Sequence, residues 1–551
     1  MFANKKKKFI ANISPDEIFL DAQNIPNFDS CQLEGRIEKP IGQKIFFAAG
    51  IFFSLLFALL FLRAGQLQIA RGEDLALRAD DNHLQRVMLP AERGLIYDRN
   101  GEVLAWNGTD SRNYLRLEGL AHVVGYTGLL YEEIVGKAGV EKSYDEALAG
   151  EAGIKLVETS SKNEIISESA QIKPKSGESV YLTIDAGVQN KLYEILKNLS
   201  AERGFQGGAA VVLDVNNGEV LSLVSYPEYN SHVLTDGEPK EKIDEYFADS
   251  GKPFVNRAVS GLYAPGSVIK PFVALAALNE KIIDPFKEIF SSGSISIPNP
   301  YFPDLKSVFY DWKAHGWVDM RHALAVSSNV YFYTIGGGYE DVNGLGIGKI
   351  GEYMRLFGLG EQTNIQLAGE KRGLVPSPQY KKDNSEDPVW RIGDTYNISV
   401  GQGDFQVTPL QMAVATALLA NNGYRVSPVL VLNKAGLPAG QAGKKERIEK
   451  EIPVDYFQIV REGMRRAVED GTAQGLRGLP VKVAAKTGTA ELGSGIFVNS
   501  WLIAFWPYEN PRFSISIVLE RGRASNLIGG VYAGRELLDW MSIHKPNYLT
   551  P

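Results

Sequence analysis

From Ile45 to Leu62 the chain reads IFFAAGIFFSLLFALLFL, a run with no charged residue and with Ser54 as its single polar side chain. At ~1.5 Å of helical rise per residue the run covers ~27 Å, close to the hydrocarbon thickness of a bilayer. Lys44 and Arg63 bracket it. A core helix of a soluble protein would keep a polar face, and this run has none. A cleaved signal peptide would have a shorter apolar part followed by small residues at an A-x-A-like site. Here RAGQLQIARG follows, without a clear site of that kind. The expectation is an uncleaved single-pass anchor in the cell (plasma or inner) membrane. Basic residues close to the span balance, with Arg36, Lys39 and Lys44 before it and Arg63, Arg71 and Arg78 after it. The run Lys5-Lys6-Lys7-Lys8 decides the orientation and marks the N-terminus as the cytoplasmic end. The large C-terminal part is then extracytoplasmic.

The chain has 551 residues, 44% of them hydrophobic, so a large core is within reach. That length suits roughly three or four domains. Net charge is −7, and beyond the N-terminal run the Lys and Arg residues are spread out. A nucleic-acid partner needs a basic face or stripe, and none is written here. Cys31 is the only cysteine, which excludes an intrachain disulfide and a cysteine-based zinc site. It precedes the span, and we read it as an inert cytosolic thiol.

Residues 1–44 are polar and carry Pro15, Pro26 and Pro40, as expected of a flexible cytoplasmic tail. Residues 45–62 are the span. Residues 63–178 mix helical composition with short strands, including a strand–turn–strand pattern from Arg86 to Ala105 that turns at Arg99-Asn100-Gly101. Ser160 to Gly177 is polar and reads as a hairpin or connector. Residues 179–545 change character. Val180 to Ile184 predicts a strand and Asp185 to Leu199 a helix. Gly208–Asp214 and Glu219–Val224 predict a hairpin with its turn at Asn217-Gly218. Val481–Thr489 and Phe513–Glu520 predict further strands. Helical stretches lie between, at Val268–Leu278, Met320–Ile335, Pro409–Asn421 and Val454–Asp470. Residues 433–452 read as a solvated loop. Strands at both ends with helices between them predict an α+β fold with a central antiparallel sheet flanked by helices.

Three motifs follow one another in this last segment: Ser267-Val-Ile-Lys270, Ser327-Ser328-Asn329 and Lys486-Thr487-Gly488. Any one alone fits a solvated helix face, a cap or a strand end. In order, they supply the parts for acyl transfer through a serine ester. Ser267 and Lys270 share one face if Pro265-Gly266 starts a helix. Ser267 then sits where backbone N–H groups favour a developing oxyanion. A serine hydroxyl needs a base, and Lys270 can serve if burial or another cation lowers its pKa. Pro271 implies local distortion of the helix. Ser327 can pass a proton between Lys270 and a leaving amine, and Asn329 can hold a substrate amide. Lys486 and Thr487 can bind a carboxylate. Gly488 permits close approach of a ligand backbone, and the Thr489 N–H can complete an oxyanion hole with that of Ser267.

With these motifs, the chain resembles the class B penicillin-binding proteins over about residues 45 to 540. Pro90-Ala-Glu-Arg-Gly-Leu-Ile-Tyr-Asp-Arg-Asn-Gly101 resembles the family's pedestal signature, and Gly139-Val-Glu141 with Tyr144 its next one. Leu182-Thr-Ile-Asp185 with Gln189, Gly401-Gln-Gly403, Thr408-Pro-Leu-Gln411 and Gly471-Thr-Ala473 also match. Asp311-Trp-Lys-Ala-His-Gly316, Gly373-Leu-Val-Pro376, and Trp390 with Gly393-Asp-Thr395 resemble the elongation-type branch, penicillin-binding protein 2. The resemblance implies a pedestal (dimerisation-type) domain over 63–178 and a transpeptidase domain over 179–545. It also implies a D,D-transpeptidase that cross-links peptidoglycan stem peptides and is acylated by β-lactams. The implied partners are a polytopic lipid II-polymerising glycosyltransferase and elongation-complex proteins, with no cofactor. Some members hold zinc through Asp, His and Cys. Here Asp311 and His315 are present, but Ser328 stands where the cysteine would, so no metal is expected. Asn499-Ser-Trp-Leu502 replaces a more usual His-x-Trp-Phe.

Two other classes share these parts. A D,D-carboxypeptidase or β-lactam-hydrolysing enzyme would acylate in the same way and then admit water. A catalytically idle scaffold of the division or elongation machinery would keep the fold alone. The long N-terminal region and anchor argue against a β-lactamase, and the intact trio argues against a scaffold.

Overall fold

The computed structural model describes residues 43–76, 84–109, 111–131, 133–159, 165–299, 302, 304–432, 444–493, 495–526 and 528–550. Residues 1–42 of the expected cytoplasmic tail and most of the 433–452 loop lie outside these. The chain forms two compact units, one of residues 1–86 with 156–169 and the other of 87–155 with 170–551. In the first, helix α1 (Gln43–Gly65) runs on through a π-helical turn, Gln66–Ala70, and buries no residue. Among the described residues it is the one helix long and apolar enough to cross a membrane.

In the second unit, Ile96–Tyr97 and Val103–Asn107 pair antiparallel around the expected turn, where Gly101 takes a positive φ of 87°. Val103–Asn107 also pairs with Arg112–Tyr114, and Ile96–Tyr97 runs parallel to Val180–Tyr181. Two segments far apart in sequence meet beside this sheet. Glu141 is fully buried and accepts from Arg93 Nε at 2.6 Å and Arg112 Nε at 2.8 Å. Arg93 also reaches Asp145 at 2.7 Å. A buried carboxylate is tolerable only when it is paired and hydrogen-bonded, and the two guanidinium groups meet that demand.

The catalytic-type part is built on helix α2 (Ala186–Arg203) and a five-stranded antiparallel sheet. Asp185 caps α2, its carboxylate accepting from the N–H groups of Gly187 and Val188. The strands are β1 (Gly207–Asp214), β2 (Val220–Tyr226), β3 (Ala484–Leu492), β4 (Phe497–Trp506) and β5 (Phe513–Arg523). Their order is β2-β1-β5-β4-β3, which leaves β3 at an edge. Side chains alternate between two cores. Ala209, Val211, Trp501, Ile503, Phe505 and Val518 face one, together with a buried helix at Pro409–Ala420. Ala210, Val212, Leu502, Ala504, Ile515 and Ile517 face the other, with α2 and the C-terminal helix Gly530–His544. The hairpin, the α2 helix, edge strand β3 and central strand β5 agree with the sequence reading. β4 does not appear in that reading. Covered on both faces, it is apolar at almost every position and lacks the polar–apolar alternation that marks a half-buried strand. The 433–452 loop also differs where it is described, since Lys445–Arg447 pairs with Tyr424–Val426.

Candidate active site

The expected helix at Ser267 begins as a 3-10 turn, Gly266–Ile269, which passes into helix α3 (Lys270–Asn279). Pro271 therefore falls in the first turn of α3, where its missing N–H costs nothing. Residues three apart eclipse in a 3-10 turn, so Ser267 and Lys270 share a face. The turn is held against edge strand β3 by the absence of three side chains. A Cβ on Gly266 would lie 2.7 Å from the Thr489 carbonyl oxygen. One on Gly488 would meet Val268 at 2.9 Å and the Pro265 carbonyl oxygen at 3.0 Å. One on Gly401, whose φ is +78°, would lie 2.2 Å from the Gly266 carbonyl oxygen. The Gly266 N–H donates to the Gly401 carbonyl at 2.8 Å, and Trp501 Nε1 donates to the Ala264 carbonyl at 3.0 Å. Gly401→Ala is expected to lower stability by at least ~2 kcal/mol and to slow acylation, because both φ and contact forbid the methyl group. Thermal unfolding and timed labelling with a fluorescent penicillin check this.

The predicted Met320–Ile335 helix is two helices, α4 (Met320–Val326) and α5 (Asn329–Gly337). The break is Ser327, in the left-handed region at φ 60°, a conformation that costs a non-glycine residue energy. The break turns Ser327 between two lysines. Lys270 Nζ donates to Ser327 O at 2.7 Å, to Ser327 Oγ at 3.3 Å and to Asn329 Oδ1 at 2.7 Å. Lys486 Nζ donates to Ser327 Oγ at 2.8 Å and to Thr487 O at 2.9 Å. Both lysine side chains are fully buried. Burial lowers Lys270 to a pKa of about 7, against the opposing pull of the Asp311 charge. Burial, joined by the charge of Lys270, holds Lys486 well below the ordinary lysine range.

Ser267, Lys270, Ser327, Asn329 and Lys486 to Thr489 thus converge. Two details differ from the sequence reading. Among the described residues the Ser267 hydroxyl has no hydrogen-bond partner, and the three bonds of Lys270 go to Ser327 and Asn329. Lys486 points inward at Ser327 instead of outward toward a carboxylate. Thr487 Oγ1 lies 2.7 Å from Thr472 Oγ1, so Thr472 joins the site. Its tripeptide Gly471-Thr-Ala473 is visible in sequence, but nothing local marks its hydroxyl as part of the cleft. The Thr489 carbonyl accepts from Gln402 Nε2 at 3.3 Å, on the side away from β4. In a strand the N–H of the same residue points the same way, toward the Ser267 turn. Asn499 Oδ1 accepts from the Arg521 N–H on neighbouring strand β5, and Ser500 Oγ accepts from the Gly530 N–H at the start of the C-terminal helix.

Asp311 and His315 lie beside α5 with their side chains buried. Among the described residues His315 Nε2 has no hydrogen-bond partner, and it is 3.6 Å from Asp311 Oδ1. Beside them are the hydroxyls of Ser291 and Ser328, 3.2 Å from each other and donating to Asp311 Oδ2 at 3.2 and 2.8 Å. Zinc draws on three or four thiolate, imidazole or carboxylate ligands. Among the described residues no three His, Cys, Asp or Glu side chains gather. One carboxylate, one imidazole and two neutral hydroxyls do not fit that ion.

Residues 208–535 match the family described as the penicillin binding protein transpeptidase domain. The chain belongs to the penicillin-binding transpeptidases. Residues 107–182 of this transpeptidase match the penicillin-binding protein dimerisation domain. It is 28% identical to the peptidoglycan D,D-transpeptidase MrdA of Acinetobacter baumannii, over 92% of this chain and 89% of that one. Against the Escherichia coli K12 protein of the same description the identity is 27%, over 90% and 93%. Among solved structures, it is similar to penicillin-binding protein 2 of Helicobacter pylori in complex with MreC, with a TM-score of 0.71, 26% identity, and coverage of 84% of this chain and 99% of that one. It also resembles Pseudomonas aeruginosa PBP2 in complex with WCK 5153, at 0.69, 29%, 84% and 98%. A third likeness is to a chain in a structure on coordination of polymerization and crosslinking by a peptidoglycan synthase complex, at 0.71, 26%, 90% and 98%. The chain is a class B, serine-type penicillin-binding transpeptidase of the PBP2/MrdA kind.

Proposed function

We propose that this transpeptidase cross-links peptidoglycan stem peptides during cell-wall elongation and is inhibited covalently by β-lactams. The observation that carries the reading is Ser327 Oγ set between two buried lysines, 3.3 Å from Lys270 and 2.8 Å from Lys486. In the proposed reaction, neutral Lys270 takes the proton from Ser267 Oγ as that oxygen attacks the carbonyl between two D-alanines. An ammonium's three donors are all engaged here, so losing one proton frees a lone pair for Ser267. The tetrahedral oxyanion lies at the N–H groups of Ser267 and Thr489. The C–N bond breaks, and the departing D-alanine amine receives its proton through Ser327 from Lys270. An acceptor amine then attacks the ester, its proton returns to the lysine–serine relay, and Ser267 leaves as the hydroxyl. Lys486 polarises Ser327 and, with Thr487 and Thr472, favours the terminal carboxylate. Asn329 orients the substrate amide, and Gly488 admits its backbone at the β3 edge.

The proposed organisation is a cytoplasmic tail (1–44), a span (45–62), a pedestal domain (63–178) and a transpeptidase domain (179–545), the last two extracytoplasmic. Similarity to chains solved with MreC and within a peptidoglycan synthase complex supports partnership with elongation-complex proteins and a lipid II-polymerising glycosyltransferase. To test the activity, the full chain in detergent is supplied with lipid II and a polymerase, and a muramidase digest is analysed by mass spectrometry. Penicillin-sensitive cross-linked dimers are expected. Shortened but uncross-linked peptides would identify a carboxypeptidase instead.

A further inference from the structure

We propose that Asp311 is a positioning residue of this reaction, pinning the Ser327–Asn329 break with its buried carboxylate and serving as the counter-charge to the lysine pair without a metal ion. The inference rests on the reading of Lys270 as the base.

The geometry is a three-sided clasp. Asp311 Oδ2 accepts from Ser328 Oγ at 2.8 Å, from the Val330 N–H at 3.0 Å and from Ser291 Oγ at 3.2 Å. Oδ1 accepts from the Trp312 N–H at 2.9 Å. Ser328 Oγ in turn accepts from the Tyr331 N–H at 3.3 Å. Carboxylate and hydroxyl together cap the first turn of α5, where a negative charge also meets the positive end of the helix dipole. The two residues flanking Ser328 are the ones that hold Lys270: the Ser327 carbonyl and Asn329 Oδ1, each at 2.7 Å. Loosening the clasp therefore moves both acceptors of the lysine at once. The left-handed Ser327 is a strained link, and such a conformation persists only where its surroundings over-determine it.

The charge matters as much as the bonds. Two lysine side chains are fully buried within reach of one hydroxyl, which leaves positive charge without solvent. The groups around Lys270 are Lys486, the Phe332 ring at 5.4 Å, and Asp311 through the cap. His315 faces Asp311 from the adjoining turn, and Lys313 lies over the exposed Trp312 ring at 4.6 Å. Of these, Asp311 alone carries negative charge, and its field favours the protonated form of Lys270. Burial by itself would raise the Asp311 carboxyl, but the bonds from the start of α5 and the Lys270 charge hold it below the usual range, so it stays ionised.

The test is the acylation rate of the full chain in detergent with a fluorescent penicillin, followed from about pH 5 to 9. Asp311→Asn keeps an acceptor for the cap and removes the charge. Its acid limb is expected to move to lower pH by at least about 0.5 unit, since Lys270 loses a counter-charge. Ser328→Ala keeps the charge and loosens the clasp. Its plateau rate is expected to fall about tenfold with the limb unmoved. Chelator and added zinc should change neither profile. An unmoved limb in folded Asp311→Asn, a wild-type rate in Ser328→Ala, or a dependence on zinc would each overturn the inference. Should Asp311→Asn fail to fold, the Ser328→Ala rate still decides. A wild-type profile with no acid limb would instead defeat the assignment of Lys270, and this inference with it.

Discussion

Ser267→Ala is expected to form no covalent adduct with a fluorescent penicillin at any time or concentration, and to cut cross-linking by at least about 1,000-fold. The same variant should unfold at the wild-type temperature. Ser267 is half-buried in the Gly266–Ile269 turn, and among the described residues its hydroxyl has no hydrogen-bond partner. Removing it leaves no buried donor or acceptor stranded, so little stability is at stake. The turn itself is held by backbone contacts among Gly266, Gly401 and the β3 edge, which the alanine does not touch. Loss of labelling in a protein of unchanged stability thus reads as chemistry alone. Mass spectrometry of the wild-type adduct should place the acyl group on the peptide containing Ser267. An adduct elsewhere, or labelling that survives in Ser267→Ala, would move the nucleophile and dissolve the proposed mechanism.

The parts of this site were legible in sequence because each carries its chemistry in a side chain: a hydroxyl, an amine, an amide. The three motifs and their order name the reaction class. What they do not carry is direction. Lys486 sits on an edge strand, and the alternation of a strand does not say that its ammonium turns into the sheet-side interior to meet Ser327. Nor does helical periodicity fix the break at Ser327: the polar run Ser327-Ser328-Asn329 fits a cap or turn, but apolar residues on both sides also fit one helix from Met320 to Ile335. The break depends on Asp311 and Ser291, which come from strands and turns outside the helix and cap it from the side. Asp311 was visible as a possible metal ligand, and its neighbours decide otherwise. β4 escaped for a related reason: when both faces of a strand are covered, burial erases the period that would announce it. Local chemistry is written locally, whereas convergence is a property of the packed chain.

Replacing Lys270 should have an effect nearly as large and more diagnostic. Lys270→Arg is expected to lower the acylation rate by about 100- to 10,000-fold at every pH, since a guanidinium cannot give up its proton and cannot serve as a base. In the wild type, burial brings Lys270 to about 7. The protonated amine has no lone pair for Ser267, so the rate should fall about tenfold per pH unit below that value and level off above it. The direction follows from the cause: burial disfavours the ammonium, which shifts the free base down into the neutral range. Lys486, equally buried and bonded to the same hydroxyl, is the rival owner of that limb. Lys486→Ala separates the two. The charge of Lys270 helps depress Lys486, whereas Lys270 itself is lowered by burial against the pull of Asp311, so deleting Lys486 leaves the causes of the Lys270 shift in place. The acid limb should then persist near its wild-type position, with a reduced plateau from the loss of Ser327 polarisation. A limb that vanishes in Lys486→Ala while remaining in Lys270→Arg would exchange the roles of the two lysines and make Ser327, not Ser267, the first hydroxyl to lose its proton.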